Sequence, residues 1–149
     1  MFSSISNLFS GKKPAPESPM DSKLAVAALL VHLIDIDGDT TEKERSIVSQ
    51  VLSKQFELGP SQVAQLIKTA HEKDHAAVDF YQFTTIITQL EMQQRIDIIA
   101  MMWQVVFADG HNHEMEDNMV WRVAELIGVS ARDRTILRKK FSEQSSTGS

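Results

Sequence analysis

The sequence predicts an all-α fold, an internally duplicated bundle of about seven helices. Three observations predict it. Apolar residues recur at spacings of three and four along most of the chain, the period of one helix face. No convincing hairpin signal interrupts them. Two Asp-Gly turns, in LIDIDGDTTEKE and VVFADGHNHEME, each leave an apolar run, and each has a glutamate seven residues after its aspartate. A shift of 72 residues superposes the turns. Asp37 falls on Asp109, Gly38 on Gly110, Glu42 on Glu114, Glu44 on Glu116, Val48 on Val120 and Val51 on Val123. Upstream the match is one of character: Leu30 with Met102, Leu33 with Val105, Ile34 with Val106. Each copy reads as a buried helix, an acidic turn and an amphipathic helix, and two copies pack most simply about a pseudo-twofold axis with a shared core.

The elements follow in order. MFSSISNLFS sets Phe2, Ile5 and Phe9 on one face of a short helix, with Lys12 and Lys13 after it. That pattern suits weak contact with a membrane surface or an arm docked on its own domain. GKKPAPESP, with three prolines in nine residues, reads as a linker. Asp21 or Ser22 caps a first helix, KLAVAALLVHLIDID, apolar almost all round and therefore buried. Thr40 or Thr41 starts a second, EKERSIVSQVLSKQF, which Gly59 and Pro60 stop. Pro60 suits the first turn of a third, SQVAQLIKTAHEK. Asp79 begins a fourth, FYQFTTIITQLE, where a β-branched run competes but length favours helix. QQRIDIIAMMWQVVFA is a fifth, apolar over a wide arc. EMEDNMVWRVAELI is a sixth, ending at Gly128 in a left-handed position. Ser130 caps a seventh, ARDRTILRKKF, with its basic residues in the last turn. The organisation is a leader and linker over 1–21, a helical domain over 22–141 and a polar, disordered tail over 142–149.

Composition narrows the function. The chain has 149 residues, no cysteine and a formal net charge of −5. Disulfides and thiolate metal sites are excluded. No basic stretch supplies a footprint for nucleic acid. The run LAVAALLV is far short of the roughly 20 residues a spanning helix needs, and no secretory signal is visible. A cytoplasmic protein is expected. No Ser/His/Asp order, phosphate loop or catalytic carboxylate pair stands out, so the reading is non-enzymatic.

The acidic turns support two readings. Asp35, Asp37, Asp39, Glu42 and Glu44 lie within ten residues, and Asp109, Glu114, Glu116 and Asp117 cluster likewise, with His111 and His113 among them. Hard divalent cations want several oxygen ligands, and facing turns would relieve their mutual repulsion by binding one. Imidazoles at His111 and His113 favour Zn or Ni over Ca or Mg, but both read better as solvated loop residues. The opposing reading is a helix cap. Thr41 and Glu44 form T-x-x-E, a capping box, and acids in a first turn gain about 0.3–1 kcal/mol each from the helix dipole. A cap can leave a glutamate oxygen free, so the readings are compatible. An EF-hand is rejected, because Thr40 stands where its loop needs glycine and Ser46 where it needs a bidentate glutamate. HEKDH matches a metalloprotease pattern at His71 and His75 but lacks a third ligand, and HNH at 111–113 is no nuclease motif. Trp103 and Trp121 read as core or interface residues, Met101, Met102, Met115 and Met119 as core filling, and Arg95 and Asp97 as surface groups paired with neighbours.

The repeated D-G-x-x-[ST]-x-x-E pattern, with RIDIIAMMWQVVFADG, MVWRVAELIGVS and YQFTTIITQL around it, resembles the tellurite-resistance TerB family over roughly residues 22–141. The N-terminal domain of DjlA-type co-chaperones is similar. The resemblance implies an all-helical duplicated fold, a metal-chelating acidic site and a stress response near the membrane. On position, Asp37, Glu44, Asp109 and Glu116 would be its ligands, with Asp39, Glu42, Glu114, His111 and His113 auxiliary. His113 departs from the pattern's Ser or Thr. The expected cofactor is a divalent cation, Ca, Mg or Mn ahead of Zn or Ni. The expected partner is a protein, and the expected location is cytoplasmic, peripheral to the inner membrane. The alternative is a co-chaperone-like interaction module whose acidic turns only cap helices.

Overall fold

A computed structural model describes residues 21–36, 40–76, 80–108 and 114–147, with side chains through Glu143. Within these the fold is all-helical: α1 (Ser22–Asp35), α2 (Glu42–Phe56), α3 (Pro60–Ala76), α4 (Tyr81–Ile87), α5 (Met92–Val106), α6 (Glu114–Leu126) and α7 (Ala131–Thr147). Among the described residues none is in a strand. No described helix is long and apolar enough to cross a membrane.

Helix α1 is the hub. Leu24 to Val31, Leu33 and Ile34 are all buried, as a helix with no polar face requires. It packs most extensively on α3, then on α4, and also meets α2, α5 and α6. Helix α5 is the second hub, packed on α7, α6, α2 and α1. The two triples α1–α2–α3 and α5–α6–α7 make corresponding internal contacts, and each hub also touches the other triple's second helix. One core results, with Leu29, Leu30, Phe83, Ile99, Met101, Met102 and Trp103 fully buried in it. Met119 is buried as expected, but Met115 is 52% exposed, on the outer face of α6, and fills no core gap.

The helix ends follow local chemistry. Asp21 caps α1, its Oδ1 accepting from the Leu24 N–H at 2.9 Å, and Ser130 caps α7 by accepting from the Asp133 N–H. Helix α2 covers the expected segment and ends at Phe56, but its stop is Glu57 and not Gly59: Glu57 takes the left-handed conformation (φ 56°) and the Leu58 N–H donates to the Ser53 carbonyl. Helix α4 is a seven-residue element that ends well before Glu91, because Glu91 and Gln94 form a capping box that starts α5. Helix α7 runs on from Phe141 to Thr147, so residues expected in a disordered tail are helical and the basic cluster lies mid-helix. Arg95 is no surface ion-pair partner. Its Nε donates to the Leu90 carbonyl at 3.0 Å and its Nη1 to the Ile127 carbonyl at 2.8 Å, tying the entry of α5 to the end of α6. Asp97 accepts from the Gln93 amide at 3.1 Å, and its other oxygen is buried without a hydrogen-bond partner. Desolvation pushes the Asp97 carboxyl above its ordinary pKa, against the opposing Gln93 hydrogen bond.

Candidate functional site

Each candidate glutamate sits in the first turn of a second helix. Helix α2 begins after Thr41, whose side chain accepts from the Glu44 N–H at 3.1 Å. Glu44 returns Oε1 to the Thr41 N–H at 3.0 Å. Both halves of the capping box are formed, satisfying two backbone donors that the helix start would otherwise leave open. Thr40, the other cap candidate, instead donates from its hydroxyl to the Ile34 carbonyl and to Asp35, closing the end of α1.

The burial of the carboxylates is selective. Glu44 is 5% exposed and Glu116 is 1% exposed. Among the described residues these are the only buried acidic side chains, and they are the pair that the 72-residue shift superposes. Glu42 and Glu114, each two residues earlier, are exposed. The period of the helix accounts for the contrast, since residues two apart point to different faces. Burying a carboxylate is costly unless its charge is compensated; at Glu44 the capping box and the helix N-terminus supply part of that compensation.

Residues that flank the two turns meet on one side of the bundle. Ile36, at the end of α1, and Met115 and Met119, at the start of α6, line a single groove of about 420 Å³ with Phe80 and Arg122. Asp37, Asp39, Asp109, His111 and His113 lie outside the described residues, as do Phe2, Ile5 and Phe9. Among the described residues no group of three or more His, Asp or Glu side chains is gathered as a metal cage.

Polar contacts join α1 to α3, and of their members His32 and Asp74 carry no signal in the sequence. His32 Nδ1 lies 2.8 Å from Asp74 Oδ1, with the ring edge-on to Phe80. His71 Nε2 lies 4.0 Å from Asp35 Oδ2, and the His71 and His75 rings stack at 4.6 Å. The i, i+4 spacing of HEKDH had placed His71 and His75 on one face. Nothing local could show that α1 supplies Asp35, because that pairing crosses the fold. At the other end, Arg138 grips Asp117, Nε to Oδ1 at 2.9 Å. Asp117 therefore serves as a structural partner of α7.

Neither the curated proteins nor the solved structures contain a match. The family model described as tellurite resistance protein TerB matches residues 23–139. That span runs from the start of α1 to the middle of α7 and takes in both buried glutamates, and the chain belongs to the TerB family.

Proposed function

We propose that the protein is a non-enzymatic domain that binds a divalent cation through its two acidic turns. The observation that carries this is the selective burial of Glu44 and Glu116, at corresponding positions of the two halves. The donor set fits a hard cation, because carboxylate oxygens suit Ca, Mg or Mn better than Zn or Ni. Glu44, Glu116, Asp37 and Asp109 would hold the ion, with Asp39, Glu42, Glu114, His111 and His113 around it. Glu44 uses Oε1 in its capping box, which leaves Oε2 as its donor. A bound cation offsets the cost of two buried carboxylates and ties the entries of α2 and α6 to one charge. The family's description, tellurite resistance, supports a place in a stress response. The apolar stripe Phe2, Ile5 and Phe9 supports weak contact with the inner membrane from the cytoplasmic side, and the working output of the domain is contact with a protein partner.

Titration of chelator-stripped protein with Ca, Mg, Mn, Zn and Ni tests this, with heat of binding and melting temperature as readouts. A cation that binds the native state stabilises it by about 2.7 kcal/mol at a hundredfold excess over Kd. The Glu44→Gln, Glu116→Gln double variant keeps the capping geometry and removes the anionic oxygens. The proposal expects binding by the wild type and none by a folded double variant. Binding to neither protein would sink the cation site. The second reading, an interaction module with capping turns, is favoured by the complete Thr41–Glu44 box and would then stand.

A further inference from the structure

The second half of the bundle is closed by aromatic rings. Trp103 of α5 is fully buried. It stacks on Phe107 at 5.8 Å and meets Trp121 of α6 edge-on at 6.4 Å. Helix α7 covers these rings with cations: Arg134 lies 4.7 Å from the Trp121 ring centre, and Arg138 lies 5.4 Å from those of Trp103 and Phe107. The wedge between α5, α6 and α7 is thus filled by two indoles and a phenyl ring beneath guanidinium groups.

The first half has the same three helices and lacks these rings. The 72-residue shift sets Val31 against Trp103, Asp35 against Phe107 and Ser49 against Trp121. All three smaller residues line one groove of about 300 Å³ between α1, α2 and α3. This is near the lower end of the roughly 300–1,000 Å³ of small-molecule pockets. Val31, Ile34, Val48 and Ile67 make its walls apolar. Arg45 and His71 stand at its polar edge. Among the described residues the Arg45 side chain makes no hydrogen bond or ion pair. Asp35 is engaged by the Thr40 hydroxyl and by His71 at 4.0 Å.

We propose that this groove binds a small planar aromatic molecule bearing an acidic group. The ring would lie where the second half places its own aromatic side chains, and the acid would meet Arg45. The apolar walls supply the burial, and a flat ring fits a slot between helices better than a branched aliphatic body of equal size. A guanidinium pairs with a carboxylate in a fixed geometry, which selects an acid over an amine. The proposal is independent of the cation reading, since it uses none of the acidic residues assigned there.

The test is calorimetric titration of the full chain with indole-3-carboxylate, indole and cyclohexanecarboxylate. Indole-3-carboxylate should bind with Kd no weaker than about 1 mM, the weak end for so small a ligand. Cyclohexanecarboxylate, with the same charge and a puckered, non-aromatic ring, should bind roughly tenfold more weakly. Arg45→Gln should weaken the indole acid roughly tenfold and leave indole itself within about twofold. Ser49→Trp refills the groove as Trp121 fills its counterpart and should abolish binding. Ala64→Leu, at the exposed mouth, gives the same reading with a smaller change should the tryptophan variant fail to fold. No binding of either indole, equal binding of the two acids, or binding unchanged by a folded groove-filling variant would each overturn the proposal.

Discussion

The α1–α2–α3 and α5–α6–α7 units follow one plan and solve the same packing problem differently. Both bury a hub helix, and both bury the glutamate at the third position of the second helix. The first unit seals its hub with small apolar residues: α1 carries three alanines and no phenylalanine, tyrosine or tryptophan, and α3 can lie close upon it. The second seals α5 with Trp103, Phe107 and Trp121, and α7 supplies arginines to cover them. Small residues bring backbones together and leave a groove where they end. Large rings fill the wedge and take guanidinium groups over their faces, at the cost of a Trp103 Nε1 buried without a hydrogen-bond partner. The lesson is that one helical plan can keep its polar punctuation while its packing is renewed.

The largest expected effect tests that contrast in the core. Trp103→Ala should cost about 3–5 kcal/mol, the range for a buried large aromatic, with added loss because Arg138 loses one of its two ring partners. Val31→Ala, the corresponding truncation in α1, removes far less volume and should cost less than about 2 kcal/mol. Urea denaturation of both variants measures the difference. Equal losses would mean that the rings are not what holds the second unit together.

The next effect concerns the ends of α2 and α6. Each ends in a left-handed residue followed by a hydrogen bond back into the helix, Leu58 to Ser53 and Val129 to Ala124. The second unit uses Gly128 (φ 78°) and the first uses Glu57 (φ 56°). Gly128→Ala should cost about 1–2 kcal/mol for the conformation alone, and its new Cβ would lie 3.3 Å from Arg95 Nη1. Glu57→Gly should gain about 0.5–1 kcal/mol, since the strain disappears and the residue is exposed. Thermal melts of the two variants should move in opposite directions.

The smallest effect lies on the hubs. Asp97 of α5 corresponds to the buried Ala25 of α1. Its carboxyl is raised above the ordinary value of 3.8, desolvation being the main cause. The folded chain therefore holds this proton more tightly than the unfolded chain. The charged form costs stability above the folded pKa, and that cost fades as pH falls through it. Asp97→Asn should raise the melting temperature modestly at pH 7, and the gain should shrink toward zero below the ordinary carboxylate range. A gain that persisted at acid pH would show that charge is not the cause.

Much of this molecule was legible in its residues. The all-apolar first helix, the caps at Asp21, Thr41 and Ser130, and the glycine at 128 are local signals, and local chemistry decides them. The 72-residue shift alone pairs Glu44 with Glu116, the two acids that the fold buries. What local pattern could not carry was of two kinds. Glu57 takes a conformation that its type rarely adopts, because the chain after Phe56 must turn at once to start α3 at Pro60. The groove beside Ser49 depends on residues from three helices, so no window of sequence contains it. The shift that aligned the turns held the clue, for it sets Ser49 against Trp121.

The hub position of α1 also has a meaning in time. The chain is made from its N-terminus, and α1 precedes α5 by about 70 residues. At roughly 5–20 residues per second, its apolar surface waits several seconds for its opposite hub. Helices α3 and α4, its most extensive partners, are made inside that interval and can shield it. The order of the elements along the chain thus doubles as a schedule of protection: the stretch most prone to stick to its neighbours is the first to be given a cover.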